Sequence, residues 1–285
     1  MDWVEGMRRA ICHMEENMTG ELSIEGAARV AGFSVFAFQR AFSMLCGFTA
    51  GEYIRRRRLA LAGSELLSTD RRIIDIALRY GYDSPDSFTK AFTRFHGVTP
   101  TAVRREGAML KSFAPLKIIF TLEGASMMEY RIVEKEAFTV MGVSRKISYQ
   151  SSFADIPRFW KEHAAGEKGK LVCGMYGICM DGETPSKEFD YWIADNYLPW
   201  NEIPEGLQAL TLPKGSWAVF PCRGAMPDAL QSVNRRIFSE WLPNCRDYEM
   251  AGGYNVELYT SPDDYPNKTN DEQYYTEIWI PVKKR

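Results

Sequence analysis

Part of this chain is written twice, and that constrains its fold more than any other feature. Ala28, Gly32 and Phe33 recur forty-nine residues on as Ala77, Gly81 and Tyr82. After a one-residue insertion, Phe38, Arg40, Ala41, Phe42, Gly47 and Thr49 recur at fifty as Phe88, Lys90, Ala91, Phe92, Gly97 and Thr99. Each copy reads as a short helix, a glycine turn and a second helix, which is the helix-turn-helix unit. In the first copy Ser23 caps a helix over Ile24–Ala31, Gly32 supplies the turn, and Ser34 caps a helix from Val35 to about Leu45. In the second, Ile73, Ile74, Ala77 and Leu78 open a helix that Gly81 breaks. Asp83 or Ser84 then caps another through about Phe95, with Pro85 tolerated in its first turn. Phe38, Phe42, Phe88, Phe92 and Phe95 fall at helical spacing and read as core. Upstream, Ile11, Met14 and Met18 mark a further helix that ends at Gly20.

The two copies are bridged by a helix from about Gly51 to Leu67, whose apolar side is Tyr53, Ile54, Leu59, Ala62, Leu66 and Leu67. About sixteen helical residues span roughly 24 Å, enough with the width of the units to hold two reading helices about one DNA turn, ~34 Å, apart. The charge agrees. Residues 29–111 carry fourteen basic groups against seven acidic ones, a balance of +7 inside a chain whose net charge is −2. A basic segment in an otherwise acidic protein is an electrostatic footprint for phosphates.

Composition removes other classes. With 45% hydrophobic and 25% charged residues the chain is an ordinary globular one. No apolar run approaches the ~18 residues of a membrane span, and residues 1–10 carry Asp2, Glu5, Arg8 and Arg9, so neither a membrane protein nor a signal peptide is expected. The six cysteines form no C-x-x-C pair and read as reduced thiols of a cytoplasmic protein. With three histidines in all, neither a metal site nor another cofactor is expected.

The second half changes character. Strand-like stretches, at Tyr130–Val133, Phe138–Ser144, Tyr191–Asn196, Trp217–Phe220, Tyr254–Tyr259 and Tyr274–Val282, alternate with amphipathic segments at about Ser152–Ala165 and Pro227–Trp241. "AFTVMGV" (Ala137–Val143) and "GSWAVFPC" (Gly215–Cys222) occupy equivalent places. The expected fold is therefore an all-α double helix-turn-helix domain (1–107), a junction (108–127) and an α+β domain (128–285) of two pseudo-repeated strand-helix-strand-strand units.

Residues 24–105 resemble the DNA-binding domain of the AraC/XylS family of transcription regulators. Tyr53–Leu67 resembles the family's linker helix, and Ile73–Pro100 (IIDIALRYGYDSPDSFTKAFTRFHGVTP) its C-terminal signature. Val103 departs from it, standing where the family usually carries an aromatic before Arg104. The second half is similar to GyrI-like effector-binding domains, on Leu212–Gly224 and on "YYTEIWIPV" (Tyr274–Val282). An N-terminal DNA-binding domain followed by a GyrI-like domain is the order of the family's Rob-type branch.

The resemblance implies roles. Phe36, Gln39 and Arg40 would face base edges, where Gln suits adenine, Arg suits guanine and Phe36 a thymine methyl; core packing is the alternative for Phe36. Asp86, Ser87 and Lys90 of the second copy look less base-specific. Arg55, Arg94, Thr99, Arg104 and Arg105 are candidate phosphate contacts, while Arg58 is expected to be partly buried in ion pairing. In the second half, alternation puts Tyr275, Glu277 and Trp279 on one strand face. Glu277, with no protein counter-ion, would then attract an organic cation between Tyr191, Trp192, Trp217 and Trp279. The alternative is a strand-edge Glu paired with a Lys or Arg.

The expected function is a transcription regulator that reads two successive major grooves and binds a small hydrophobic or cationic effector. The resemblance adds RNA polymerase as a partner. Two alternatives are a GyrI-like small-molecule hydrolase and a drug-sequestering protein. Against the first, the chain shows no nucleophile, metal or phosphate-loop motif; against both, a double helix-turn-helix would go unexplained.

Overall fold

The computed structural model describes residues 3–106, 109–118, 128–149, 151–181, 188–197 and 202–285. Much of the expected junction at 108–127 lies outside the described residues. The first third is helical: α1 (Trp3–Glu16), α2 (Ile24–Ala31), α3 (Val35–Cys46), α4 (Ala50–Ser68), α5 (Ile73–Arg79), α6 (Pro85–His96) and α7 (Pro100–Glu106). The internal repeat appears in the caps. Ser34 Oγ accepts from the Ala37 N–H and Ser84 Oγ from that of Ser87, so of the two residues that could cap the helix at 85, Ser84 does. Thr49 and Thr99 cap α4 and α7 in the same way. Phe33 N–H bonds Ala28 O and Tyr82 N–H bonds Ala77 O, both at 3.0 Å, around Gly32 and Gly81, which share a φ of 79°. Only glycine takes that left-handed turn without strain, which is why both copies carry it there.

Packing divides the chain into two compact units: residues 1–33 with 48–122, and residues 34–47 with 123–285. The helix α3 thus groups with the second unit and not with the helices on either side of it in sequence. In the first unit Leu59, Ala62 and Leu66 of α4 pack with Ile76, Ala77 and Tyr80 of α5, Phe88 and Phe92 of α6, and Val103 of α7. Val103, though not aromatic, is fully part of this core. Phe95 packs at its margin. Leu67, expected inside, is 54% exposed, because Leu66 one step around the helix takes the inward direction.

The second unit is built on one antiparallel sheet of β1 (Arg131–Lys135), β2 (Phe138–Ser148), β3 (Tyr176–Met180), β4 (Glu188–Asn196), β5 (Gln208–Leu212), β6 (Gly215–Arg223), β7 (Tyr248–Met250), β8 (Tyr254–Tyr259) and β9 (Tyr275–Lys284). The strand order is β1-β6-β9-β8-β3-β4-β2-β5, with β7 against the end of β9. Helices α8 (Ser152–Ala165) and α9 (Asp228–Arg236) join β2 to β3 and β6 to β7; α9 runs on through a π turn at Ile237–Trp241. Sequence alternation missed β3, β5 and β7. β3 is buried at Tyr176–Cys179, so no polar face marks it, and β5 and β7 are short edge pieces.

The sheet has two different faces. One carries Trp192, Trp217, Trp279, Tyr176, Val219 and Val256 in a single aromatic cluster. The other carries Tyr191, Phe189, Ile193 and Cys179 and packs with Phe159 of α8 and Phe36 of α3. Successive residues on a strand point to opposite faces, so Tyr191 and Trp192 cannot wall the same pocket. The expectation that grouped them is corrected on that ground.

Candidate functional sites

The candidate DNA-reading residues fall into two groups. Asp86, Lys90, Arg94 and Arg105 are exposed, as is Arg55, the outward member of the Arg55–Arg58 run. The other three arginines are used internally. Arg56 pairs with Glu52 and lies 5.4 Å over the Phe48 ring. Arg57 forms a fork with Glu15, Nε to Oε1 at 2.9 Å and Nη2 to Oε2 at 2.6 Å. Arg58 donates to the carbonyls of Met18 and Gly20, at 2.9 and 3.0 Å, so its partners are backbone oxygens and not the expected ion pair. Arg104 donates to Arg71 O at 2.8 Å. Ser87 and Thr99 are exposed, and their hydroxyls are bonded within the first turns of α6 and α7, to Ser84 O and from Ala102 N–H.

The first reading helix is different. Phe36, Gln39 and Arg40 of α3 are all buried. Phe36 packs with Ile147, Tyr149, Phe159 and Tyr191 of its own unit. Arg40, 8% exposed, donates through Nη1 to Cys179 Sγ at 3.6 Å, and its Nη2 stands 3.8 Å from Glu257 Oε1.

Glu257 is the residue that sequence reasoning missed. It sits on β8, 4% exposed, on the helix-covered face of the sheet. Tyr191 Oη donates to its Oε2 at 2.9 Å and Tyr259 Oη at 2.8 Å, while Trp160 Nε1 donates to Tyr191 Oη at 2.9 Å. Trp160 and Tyr259 meet edge to face at 5.0 Å. Gly177 of β3 makes room for this cluster: a Cβ there would stand 2.4 Å from Tyr191 Oη and 2.8 Å from Glu257 Oε2. Burial, then the nearby carboxylate, pushes both tyrosine hydroxyls well above their ordinary range, so both stay protonated donors. Burial likewise raises the Cys179 thiol to about 12, keeping it neutral beside Arg40.

Glu257 and Tyr259 open into a cavity of about 530 Å³ whose walls include Trp160, Ile156, Leu230, Tyr274 and, from α3, Arg40 and Met44. Asn234, 3% exposed, also lines it, and its Oδ1 has no hydrogen-bond partner among the described residues. The volume lies within the ordinary range for small-molecule sites. The signal for Glu257 was present in the sequence: "YNVELY" places one carboxylate inside an apolar strand, the pattern that singled out Glu277.

Glu277 itself is otherwise placed. It is 5% exposed, on the sheet's other face with Tyr275 and Trp279 as alternation required. The expectation that it lacks a protein counter-ion is overturned: Arg131 Nη2, Tyr275 Oη and Trp279 Nε1 each donate to it at 2.7 Å. Burial works to raise this carboxyl, but those three donors outweigh it and hold it below the ordinary carboxylate value. Nor does Glu277 lie on an edge strand, since β9 runs between β6 and β8. Trp192, Trp217, Tyr275 and Trp279 do not line the cavity; Tyr191 stands behind its wall, bonded to the lining residues Glu257 and Trp160. Among the described residues, no group of three His, Cys, Asp or Glu side chains is placed to hold a metal ion, and no helix is long and apolar enough to cross a membrane.

Comparison with known proteins matches two stretches of the chain to two families. Residues 27–106 match the family described as "Helix-turn-helix domain", and residues 131–282 match Cass2, "Integron-associated effector binding protein". The chain is 34% identical to the transcriptional regulator Rob of Salmonella typhimurium and to the right origin-binding protein of Escherichia coli K12, covering 100% of both chains in each case. It is 39% identical to the HTH-type transcriptional activator AarP of Providencia stuartii over 36% of this chain and 68% of AarP. Among solved structures, that of SAV2435 bound to tetraphenylphosphonium matches with a TM-score of 0.46 at 23% identity, covering 55% of this chain and 94% of that one.

Proposed function

We propose how this chain works from one premise: it belongs to the AraC/XylS family of transcription regulators, in the Rob-type order of a helix-turn-helix DNA-binding domain followed by an effector-binding domain. Its effector is a small hydrophobic cation held at Glu257. One observation carries this reading. Glu257 is buried, yet its hydrogen-bond donors are two neutral hydroxyls, and its charge partner Arg40 stands 3.8 Å away, outside hydrogen-bond distance. A buried carboxylate so placed favours a ligand cation, and the Trp160 and Tyr259 rings offer it faces. Asn234 Oδ1 supplies an acceptor for a ligand N–H or O–H. Glu277, already neutralised by Arg131, is a structural pair in this reading.

On DNA, Phe36, Gln39 and Arg40 read bases in one major groove, and Asp86, Ser87 and Lys90 face the next. Arg55, Arg94, Thr99, Arg104 and Arg105 contact phosphates. We take domain limits of 1–107 and 128–285, with RNA polymerase as the protein partner and the cytoplasm, where the chromosome lies, as the place of action. We read the chain as a regulator and not a catalyst, since a relative matched over its full length is the transcriptional regulator Rob.

Calorimetric titration with benzyltrimethylammonium and its neutral isostere neopentylbenzene tests the effector site. Glu257→Gln keeps the shape and removes the charge. It should weaken the cation about tenfold or more, some 1.4 kcal/mol, while leaving the neutral compound unchanged. Equal weakening of both would contradict charge recognition.

A further inference from the structure

Arg40 is both the base-reading residue proposed for α3 and the cation nearest Glu257. Its two polar contacts within the unit are weak. At 3.8 Å from Glu257 Oε1 it is outside hydrogen-bond range, and the Cys179 sulfur 3.6 Å from Nη1 is a poor acceptor. A guanidinium carries five N–H donors, so burial with such partners leaves it held chiefly by the charge of one carboxylate. Glu257, by contrast, is fixed by two tyrosine hydroxyls on Oε2, which leaves Oε1 toward Arg40. Arg40 and Met44 are themselves part of the wall of the cavity into which Glu257 opens.

One buried carboxylate neutralises one cation. A ligand cation arriving at Glu257 strips Arg40 of its compensating charge, and an uncompensated buried guanidinium is far less stable than a solvated one. Resting on the reading of the Glu257 cavity as the effector site, we propose that the effector cation displaces Arg40 from Glu257 and thereby frees α3 for DNA. The protein's own arginine and the effector compete for one carboxylate, and the residue released is the one that reads bases. By linkage, DNA in turn tightens effector binding by the same factor.

The test uses the full chain without DNA. Competition predicts that Arg40→Met binds benzyltrimethylammonium about tenfold more tightly than the unmodified protein, with neopentylbenzene, which also reports the intact cavity, gaining far less. In the unmodified protein, saturating cation should speed amide hydrogen exchange over residues 35–46. In Glu257→Gln the same segment should exchange fast without cation and respond no further. The exchange arm on the unmodified chain does not depend on any variant folding. A cation affinity unchanged or lowered in Arg40→Met, or exchange over 35–46 indifferent to the cation, overturns the displacement and leaves the cavity standing as an effector site. Absence of cation binding to both the unmodified chain and Arg40→Met overturns the displacement and the site together.

Discussion

Two buried glutamates of this protein differ in what neutralises them: Glu277 has a hydrogen-bonded guanidinium, while Glu257 has two neutral hydroxyls and an arginine 3.8 Å away. Glu277 accepts from Arg131, Tyr275 and Trp279, so Glu277→Gln deprives a hydrogen-bonded guanidinium of its charge partner. Because Arg131 is half exposed, the loss should be moderate, about 1–2 kcal/mol in a denaturant titration, with cation binding unaffected. Glu257→Gln should lose the cation and, by removing the charge partner of Arg40, loosen α3. Gly177 packs against the same cluster. Gly177→Ala drives a methyl into Tyr191 Oη and Glu257 Oε2, and should cost about 1–3 kcal/mol of stability and weaken the cation. Gly215→Ala, where an added Cβ meets nothing within 4 Å, is the control and should change neither.

At the scale of elements, α4 and α6 are joined by a histidine with a fixed tautomer. Lys111 N–H donates to His96 Nδ1 at 3.2 Å, so the ring proton sits on Nε2, which donates to Leu59 O at 3.0 Å. Burial lowers the His96 pKa below its ordinary value. An imidazole whose folded pKa is depressed contributes nothing to the pH dependence when both states are neutral. As pH falls through about 6.5 the unfolded chain takes up a proton that the folded one refuses, so stability falls with it. The loss levels off only below the folded pKa. Thermal melts stepped from about pH 7.5 to pH 5 should show this decline in the unmodified protein and a flatter profile in His96→Gln. A flat profile in both would remove His96 from the account. These helices were legible in sequence because caps and glycine turns repeat: Ser34 with Ser84, Thr49 with Thr99, Gly32 with Gly81. β3 was not legible, since a strand buried on both faces has no polar alternation. The site was half legible. The signal was an interior glutamate in an apolar strand, and it occurs in both β8 and β9. Only the third dimension shows that Arg131, in β1, satisfies one of the two. The same holds for α3, whose face was readable from the repeat but whose burial with Phe159 and Tyr191 was not.

For the whole molecule, the duplicated unit sets the stoichiometry. One chain carries two reading helices and a bridging helix of nineteen residues, about 28 Å long, so one chain should occupy one DNA site. Binding titrated far above Kd should saturate at one chain per duplex, and two chains would contradict the duplication as the basis of recognition. Within that complex Arg40→Ala should cost about 1–3 kcal/mol and relax preference at one base pair, whereas a uniform loss over all sequences would make Arg40 a phosphate contact. The most direct test of the regulator as a whole is fluorescence anisotropy of the full chain on a duplex of its own upstream region and on a scrambled duplex, at fixed salt, with and without saturating benzyltrimethylammonium. The upstream duplex should be preferred, and the cation should tighten it by about fivefold or more. Equal affinity for the two duplexes, or an affinity that ignores the cation, would contradict an effector-controlled reader of DNA.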